Sequence, residues 1–163
     1  MSGVGSSGGT YRIEVVREGT EIIARDILDS LPEWFGRPES LDEYVAATTR
    51  LPTLVAYSEN GKAAGFLSLE KHTSVAAEIH VIGVARDQRG RGCGRKLIEQ
   101  AETMLRAEGI RWFTVKTLAA SHPDPHYAET RLFYEASGFE PLEVFSDLWG
   151  EDTPCLMMMR PID

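Results

Sequence analysis

The 163-residue sequence is short of several things, and each shortage removes a class of protein. No apolar run approaches the roughly 20 residues of a membrane-spanning helix, so no membrane partner is expected. Only two cysteines occur, Cys93 and Cys155. Two are too few for a disulfide framework, and the expected location is a reducing cytoplasm. Positive charge is scarce: 17 Lys and Arg stand against 25 Asp and Glu, a net charge of −8. Non-specific nucleic-acid affinity comes from a basic surface, so no nucleic-acid partner is expected either. An acidic surface suits a cationic substrate, and it is also what a solvated globular surface often looks like.

Neither an internal repeat nor a proline- or glycine-rich linker divides the chain. The rest of the composition is ordinary for a globular protein, 42% hydrophobic and 26% charged. Residues 1–10 are rich in glycine and serine without an apolar segment, and they read as a flexible leader rather than a signal peptide. Residues 11–163 read as one domain, long enough for a sizeable core.

Hydrophobic spacing predicts a strand over 11–17, then a helix over 20–31 carrying Ile22, Ile23, Ile27, Leu28 and Leu31. Pro32 ends that helix, an aromatic connection follows, and Ser40 is placed to cap a second helix running to about Thr49. Strands over 54–58 and 63–71 flank Asn60-Gly61, a pair that signals a type I′ hairpin turn. A strand over 75–86 leads to a helix over 92–108 that buries Leu97, Ile98, Ala101, Met104 and Leu105 and stops at Gly109. A strand over 110–118 is expected parallel to the one before that helix. Two prolines mark 121–126 as a loop; a short helix over 128–137 and strands over 139–147 and 155–160 complete an α/β chain.

The turn between strand and long helix is the most informative stretch. Arg89-Gly90-Arg91-Gly92-Cys93-Gly94 has glycine at alternate positions, followed by Arg95 and Lys96. Glycine permits backbone conformations closed to other residues and a close approach by a ligand. The helix start adds unpaired N–H groups and the positive end of a dipole. Together these make an anion site, most often for phosphate. The spacing is not the dinucleotide pattern G-x-G-x-x-G, whose last glycine would fall on Arg95, nor a P-loop, which needs G-K-[ST].

What is present is Arg89-x-x-Gly92-x-Gly94 between a strand and a helix. It resembles the acyl-CoA pyrophosphate loop of the GNAT superfamily of N-acetyltransferases, [QR]-x-x-G-x-[GA]. The order β-α-α-β-β-β-α-β-α-β-β extends the resemblance from about Tyr11 almost to the end. It implies a mixed central sheet of six to seven strands, splayed at the cofactor site and flanked by about four helices. It also implies acetyl-CoA as co-substrate and no metal. The pyrophosphate is then expected on Arg89, Gly90, Arg91, Gly92, Cys93, Gly94 and Arg95, and the pantetheine arm on the backbone of Ile82, Gly83 and Val84. The alternative for Gly83 is a packing glycine beneath a bulky neighbour.

Acetyl transfer to an amine requires a base for the ammonium and an acid for the departing thiolate. Glu78 lies on the strand feeding the turn, eleven residues before Arg89, in an Ala-Glu-Ile context that also occurs in GNAT enzymes with a glutamate base. His80, two residues on, shares its strand face, and an imidazole is a side chain able to relay a proton near neutral pH. Either residue, or water, is left as the base; the alternative is a solvated carboxylate and a satisfied sheet histidine. Phe133-Tyr134-x-x-x-Gly138-Phe139 looks like the family's F-Y-x-x-x-G-F motif, whose tyrosine protonates the thiolate. A phenol of pKa near 10 is a competent donor to a thiolate whose thiol has a pKa near 8.5.

One departure is clear: the family's N-x-x-A before F-Y is here Tyr127 and Thr130, which removes an asparagine contact to the cofactor arm. His122, Asp124 and His126 look superficially like metal ligands, but the prolines between them and the lack of a third strong ligand speak against it. Cys93 at a helix start would be an activated thiol, yet in a phosphate loop it reads as packing, which favours direct transfer. Trp34, Phe35 and Tyr44 are candidates to line the acceptor cleft. Three readings stand: a small-molecule amine acetyltransferase, a protein-amine acetyltransferase, or a silent acyl-CoA sensor. Whether the chain pairs as a homodimer stays open.

Overall fold

A computed structural model describes residues 9–163, so the expected leader lies outside the described residues up to residue 8. The elements are β1 (Arg12–Val15), α1 (Thr20–Asp29), α2 (Pro38–Ala47), β2 (Thr53–Tyr57), β3 (Ala63–Lys71), β4 (Ala76–Val84), α3 (Cys93–Ala107), β5 (Trp112–Leu118), α4 (Pro125–Ala136), β6 (Glu140–Phe145) and β7 (Cys155–Pro161). Seven strands form one mixed sheet in the order β1-β2-β3-β4-β5-β7-β6. The strand and helix numbers match the expected architecture.

The described residues resolve into two compact units, one holding those up to Glu70 and His80–Thr103, the other Lys71–Ile79 and Met104–Asp163. In the first, β1, β2 and β3 pair antiparallel, and α1 and α2 supply the apolar cover. Ala24, Ile27, Leu28 and Leu31 of the α1 stretch pack with Val45, Val55, Phe66 and Val81. Ile22, expected on the same face, is exposed instead, because the buried stripe runs through positions 24, 27, 28 and 31. In the second unit, Ala76–Ile79 of β4 run parallel to Trp112–Val115 of β5, as the crossover rule predicts. That ladder ends at Ile79, while β5 continues along β7 to Leu118.

Three local expectations are corrected. The Asn60-Gly61 turn is not type I′, since only Gly61 has positive φ. Gly61 N–H donates to the Ser58 carbonyl at 2.9 Å, and Ser58 N–H to the Lys62 carbonyl at 2.9 Å. This is the three-residue hairpin loop with glycine in the left-handed position. Asn60 uses its side-chain oxygen to accept from Lys62 N–H at 3.0 Å, an Asx-type link that holds it at negative φ. Ser40 does not cap α2: the helix begins two residues earlier with Pro38 in its first turn, where a missing N–H costs nothing. Likewise Pro125 opens α4 rather than extending the loop, with Asp124 as the cap accepting from His126 N–H at 2.8 Å.

Two glycines mark the tightest packing. A Cβ on Gly65 would stand 2.9 Å from Cys93 Sγ and 3.0 Å from the Gly83 carbonyl oxygen. The backbone oxygen cannot rotate away, so Gly65→Val is expected to destabilise the fold by about 2 kcal/mol, read as a lower urea midpoint. A Cβ on Gly83 would stand 3.0–3.3 Å from Leu28, Phe66 and Ile27 side chains. Gly83 therefore has a packing reason to be glycine, whatever else its backbone does.

Candidate active site

The glycine turn forms as its residues require. A short 3-10 turn at Arg86–Gln88 leaves β4, and α3 starts at Cys93. Gly90 and Gly92 sit at φ 76° and 84°, while Gly94 lies in the first turn of α3 without positive φ, so two glycines rather than three need left-handed freedom. An added Cβ at either Gly90 or Gly92 would meet nothing within 4 Å among the described residues other than its chain neighbours. The turn thus presents exposed backbone at the positive end of a 15-residue helix. These features fit a diphosphate.

The cations around the turn have distinct surroundings. Arg91 and Arg95 are exposed, and Arg95 pairs with Glu99 one helical turn on, at 3.7 Å. The Arg89 guanidinium stacks 4.3 Å from the centre of the Trp34 ring, so Trp34 is tied to the turn rather than standing as acceptor-site surface alone. Lys96 donates to the Gly9 carbonyl at 3.0 Å, and Gly9 N–H donates to the Arg91 carbonyl at 2.9 Å. Tyr11 O–H donates to Gln88 at 3.0 Å, and its own pKa is raised, chiefly by burial. Gly9 and Tyr11 therefore brace the turn.

Cys93 is fully buried at the head of α3, and burial pushes its thiol up to about 12 against the pull of Lys96. The helix dipole does not win at this site; desolvation does. Cys155 is likewise buried and pushed up to about 11, again first by burial. Both thiols are expected to resist iodoacetamide at pH 8 in the native protein and to label at once in denaturant, with mass spectrometry reading the difference.

Glu78 is buried on β4 in company that the sequence reading missed. Lys116 Nζ lies 3.0 Å from both carboxylate oxygens, and His72 Nε2 lies 2.6 Å from Oε1. The parallel register explains the ion pair: Glu78 faces Thr114, and Lys116 is two residues further along the same face of β5. The signal was a lone charged residue, Lys116, inside the strand Trp112–Leu118. His72 arrives through the short β3–β4 connection, closed by His72 N–H on the Ala76 carbonyl at 3.0 Å. Glu78 is thus a buried counter-ion, not a solvated strand-end carboxylate.

His80 has different neighbours. Its Nδ1 lies 3.4 Å from a Glu70 oxygen, and its ring meets Tyr44 edge-on with centroids 5.6 Å apart. Tyr44 in turn meets Phe35 at 5.7 Å, perpendicular. The structure brings His80, Tyr44 and Phe35 together. His80 Nε2 is buried with no hydrogen-bond partner among the described residues. On α4, Tyr134 is buried between Phe133, at 5.4 Å, and Phe139, at 5.9 Å. Its helix ends at Ser137, and Gly138 takes φ 94° to start the return to β6. Asp124 serves as helix cap, a structural use for one member of the His122-Asp124-His126 loop.

The profile of the family described as acetyltransferase (GNAT) domain matches residues 50–141. No curated protein matches the sequence. Among solved structures, a GNAT-family acetyltransferase from Desulfovibrio desulfuricans superposes with a TM-score of 0.80 at 19% identity, covering 94% of this chain and 99% of its own. An aminoglycoside 6'-N-acetyltransferase complexed with coenzyme A gives 0.71 at 18%, covering 93% and 97%. The ribosomal-protein-S18-alanine N-acetyltransferase from Escherichia coli gives 0.73 at 20%, covering 94% and 95%. At such identities the structures speak for the fold, and the family match, which spans more than half of the chain, speaks for membership. The chain belongs to the GNAT family of acetyltransferases, enzymes of the acyltransferase class.

Proposed function

We propose that the protein moves acetyl from acetyl-CoA directly to a primary amine, in the first instance that of a small molecule, in the cytoplasm. The observation that carries this reading is the glycine turn: two exposed left-handed glycines at the start of α3, with Arg91 and Arg95 exposed beside them. Its backbone would hold the pyrophosphate, from Arg89 to Arg95. The β4–β5 ladder ends at Ile79, so Ile82, Gly83 and Val84 continue β4 past the last residue paired with β5. Backbone groups there suit a pantetheine arm, which binds by adding to a strand edge.

Acetyl-CoA would supply an activated acyl group, and the chain's own residues would position it and handle protons. Tyr134 is the donor to the departing thiolate, held by Phe133 and Phe139. The acceptor's proton leaves by way of β4, which carries Glu78 and His80. Burial and high proton affinity of Cys93 support direct transfer over a cysteinyl intermediate. A cationic acceptor also fits the net charge of −8.

The deciding experiment is a screen of amines for CoA release, using aminoglycosides, polyamines, amino acids and peptides with a thiol-reactive dye. Turnover with a small amine supports the reading. Turnover confined to peptides assigns a protein acceptor, and CoA binding without release from any amine identifies a sensor.

A further inference from the structure

The segment that leads into β1 is tied to the glycine turn by several links. Gly9 N–H donates to the Arg91 carbonyl at 2.9 Å, and Lys96 Nζ donates to the Gly9 carbonyl at 3.0 Å. Tyr11 O–H donates to the Gln88 side chain at 3.0 Å, and Lys96 Nζ lies 5.8 Å from the centre of the Tyr11 ring. Gly9 is seated against that ring: an added Cβ would stand 2.6–2.8 Å from the Tyr11 hydroxyl oxygen and ring carbons. The sequence places Gly9 in a flexible leader, yet here it joins the turn to the first residues of α3.

The link to Arg91 falls where the turn is least determined by its own residues. Arg91 stands between Gly90 and Gly92, at φ 76° and 84°, and glycine on either side lets the peptide planes rotate at little steric cost. No cis peptide bond occurs among the described residues. In a planar trans peptide the C=O and the N–H point in opposite directions. Holding the Arg91 carbonyl on Gly9 therefore aims the Gly92 N–H away from residues 9–11. A flip of this one peptide would replace that N–H by a carbonyl oxygen, which repels an anion instead of binding it.

We propose that Gly9 and Tyr11 are positioning residues for donor binding, which hold the Arg91–Gly92 peptide so that its N–H meets the diphosphate of acetyl-CoA. This rests on the acetyltransferase reading above, which puts the diphosphate on the turn. Gly9 sets the peptide plane through its own N–H. Tyr11, anchored on Gln88, keeps Gly9 within reach, and Lys96 completes the link through the Gly9 carbonyl. A cradle that is already in its binding orientation has less to order when the ligand arrives, which raises affinity without adding a contact. Neither Gly9 nor Tyr11 acts on the reacting atoms.

The test sets a donor with a diphosphate against one without. Gly9→Pro removes the N–H that the Arg91 carbonyl accepts, at a position outside every helix and strand, and thermal unfolding checks that the fold is kept. Calorimetry should show CoA binding weakened about 10-fold. The KM for acetyl-CoA should rise to match, with kcat unchanged at saturation. S-acetyl-pantetheine carries the same thioester and no diphosphate, so its kcat/KM should not change. Tyr11→Phe keeps the ring and loses the bond to Gln88, and its CoA affinity should fall between wild type and Tyr11→Ala. A merely structural role would lower turnover with both donors alike. Amide exchange followed by NMR reads the link without any ligand, and the wild-type Gly9 amide should exchange about 10-fold more slowly than in an unstructured peptide. Wild-type CoA affinity in Gly9→Pro, equal losses with the two donors, or an unprotected Gly9 amide would overturn the proposal and leave the acetyltransferase reading standing. A wild type that binds no CoA would overturn that reading, and the proposal with it.

Discussion

Tyr134→Phe is expected to lower kcat by about 100-fold while changing the dissociation constant of acetyl-CoA less than twofold. General acid catalysis by a positioned side chain contributes roughly 10²–10⁴ in rate, and the lower end suits a leaving thiolate, which is stable without full protonation. The substitution removes one hydroxyl and keeps the ring. The contacts with Phe133 and Phe139 therefore survive, and the α4 terminus that they anchor stays in place. Fold and donor binding are separated from chemistry in this way. A defect that appears in kcat and equally in kcat/KM identifies an interaction made only in the transition state. Stopped-flow acetylation with calorimetry on the same samples makes the comparison, and an unaltered kcat removes Tyr134 as the acid. Thermal unfolding of the variant serves as the check that only chemistry was touched.

Much of the fold was legible because its signals are local and mutually consistent. The α3 stripe of Leu97, Ile98, Ala101 and Leu105 is buried as its period requires, and Gly109 ends the helix at φ 83°. Legibility failed where a residue had two uses. Pro125 reads as a loop marker and Pro38 lies in the expected connection before Ser40, yet each opens a helix, because the N–H that proline lacks has no partner to meet in the first helical turn. Asn60-Gly61 resembled a type I′ turn until the asparagine side chain bonded to Lys62 and changed the loop.

The candidate site divides along the same line. The glycine turn is contiguous, so its residues could be read as a unit from Arg89 to Arg95. The partners of Glu78 come from elsewhere: Lys116 lies 38 residues away on β5, brought in by a parallel register that no local pattern encodes. Glu70 and His80 are likewise joined by strand placement, and neither residue announces the other in the sequence. Contiguous anion sites are readable, whereas pairs assembled across strands need the fold. That is why the donor side was clear at once and the proton path was not.

Gly92→Val is expected to weaken acetyl-CoA binding at least 100-fold, about 2.7 kcal/mol, while the domain remains folded. Two effects act together. At φ 84° a β-branched residue is strained by roughly 1–3 kcal/mol, and relieving that strain means re-routing the turn and re-aiming its amides. If the backbone holds instead, the new side chain projects beside Gly92 into a space where, among the described residues other than its chain neighbours, nothing lies within 4 Å of its Cβ. That space is where a diphosphate would have to approach. The same openness protects the fold, because nothing in the core is displaced, so unfolding should shift only by the local strain. Gly92→Ala supplies the graded control: it carries the positive-φ penalty with one methyl group, and its affinity should fall between wild type and valine. Isothermal calorimetry with CoA reads all three proteins. Wild-type affinity in the valine variant would sink the turn as the donor site, and the proposed geometry of transfer would have to be rebuilt from another anion cradle.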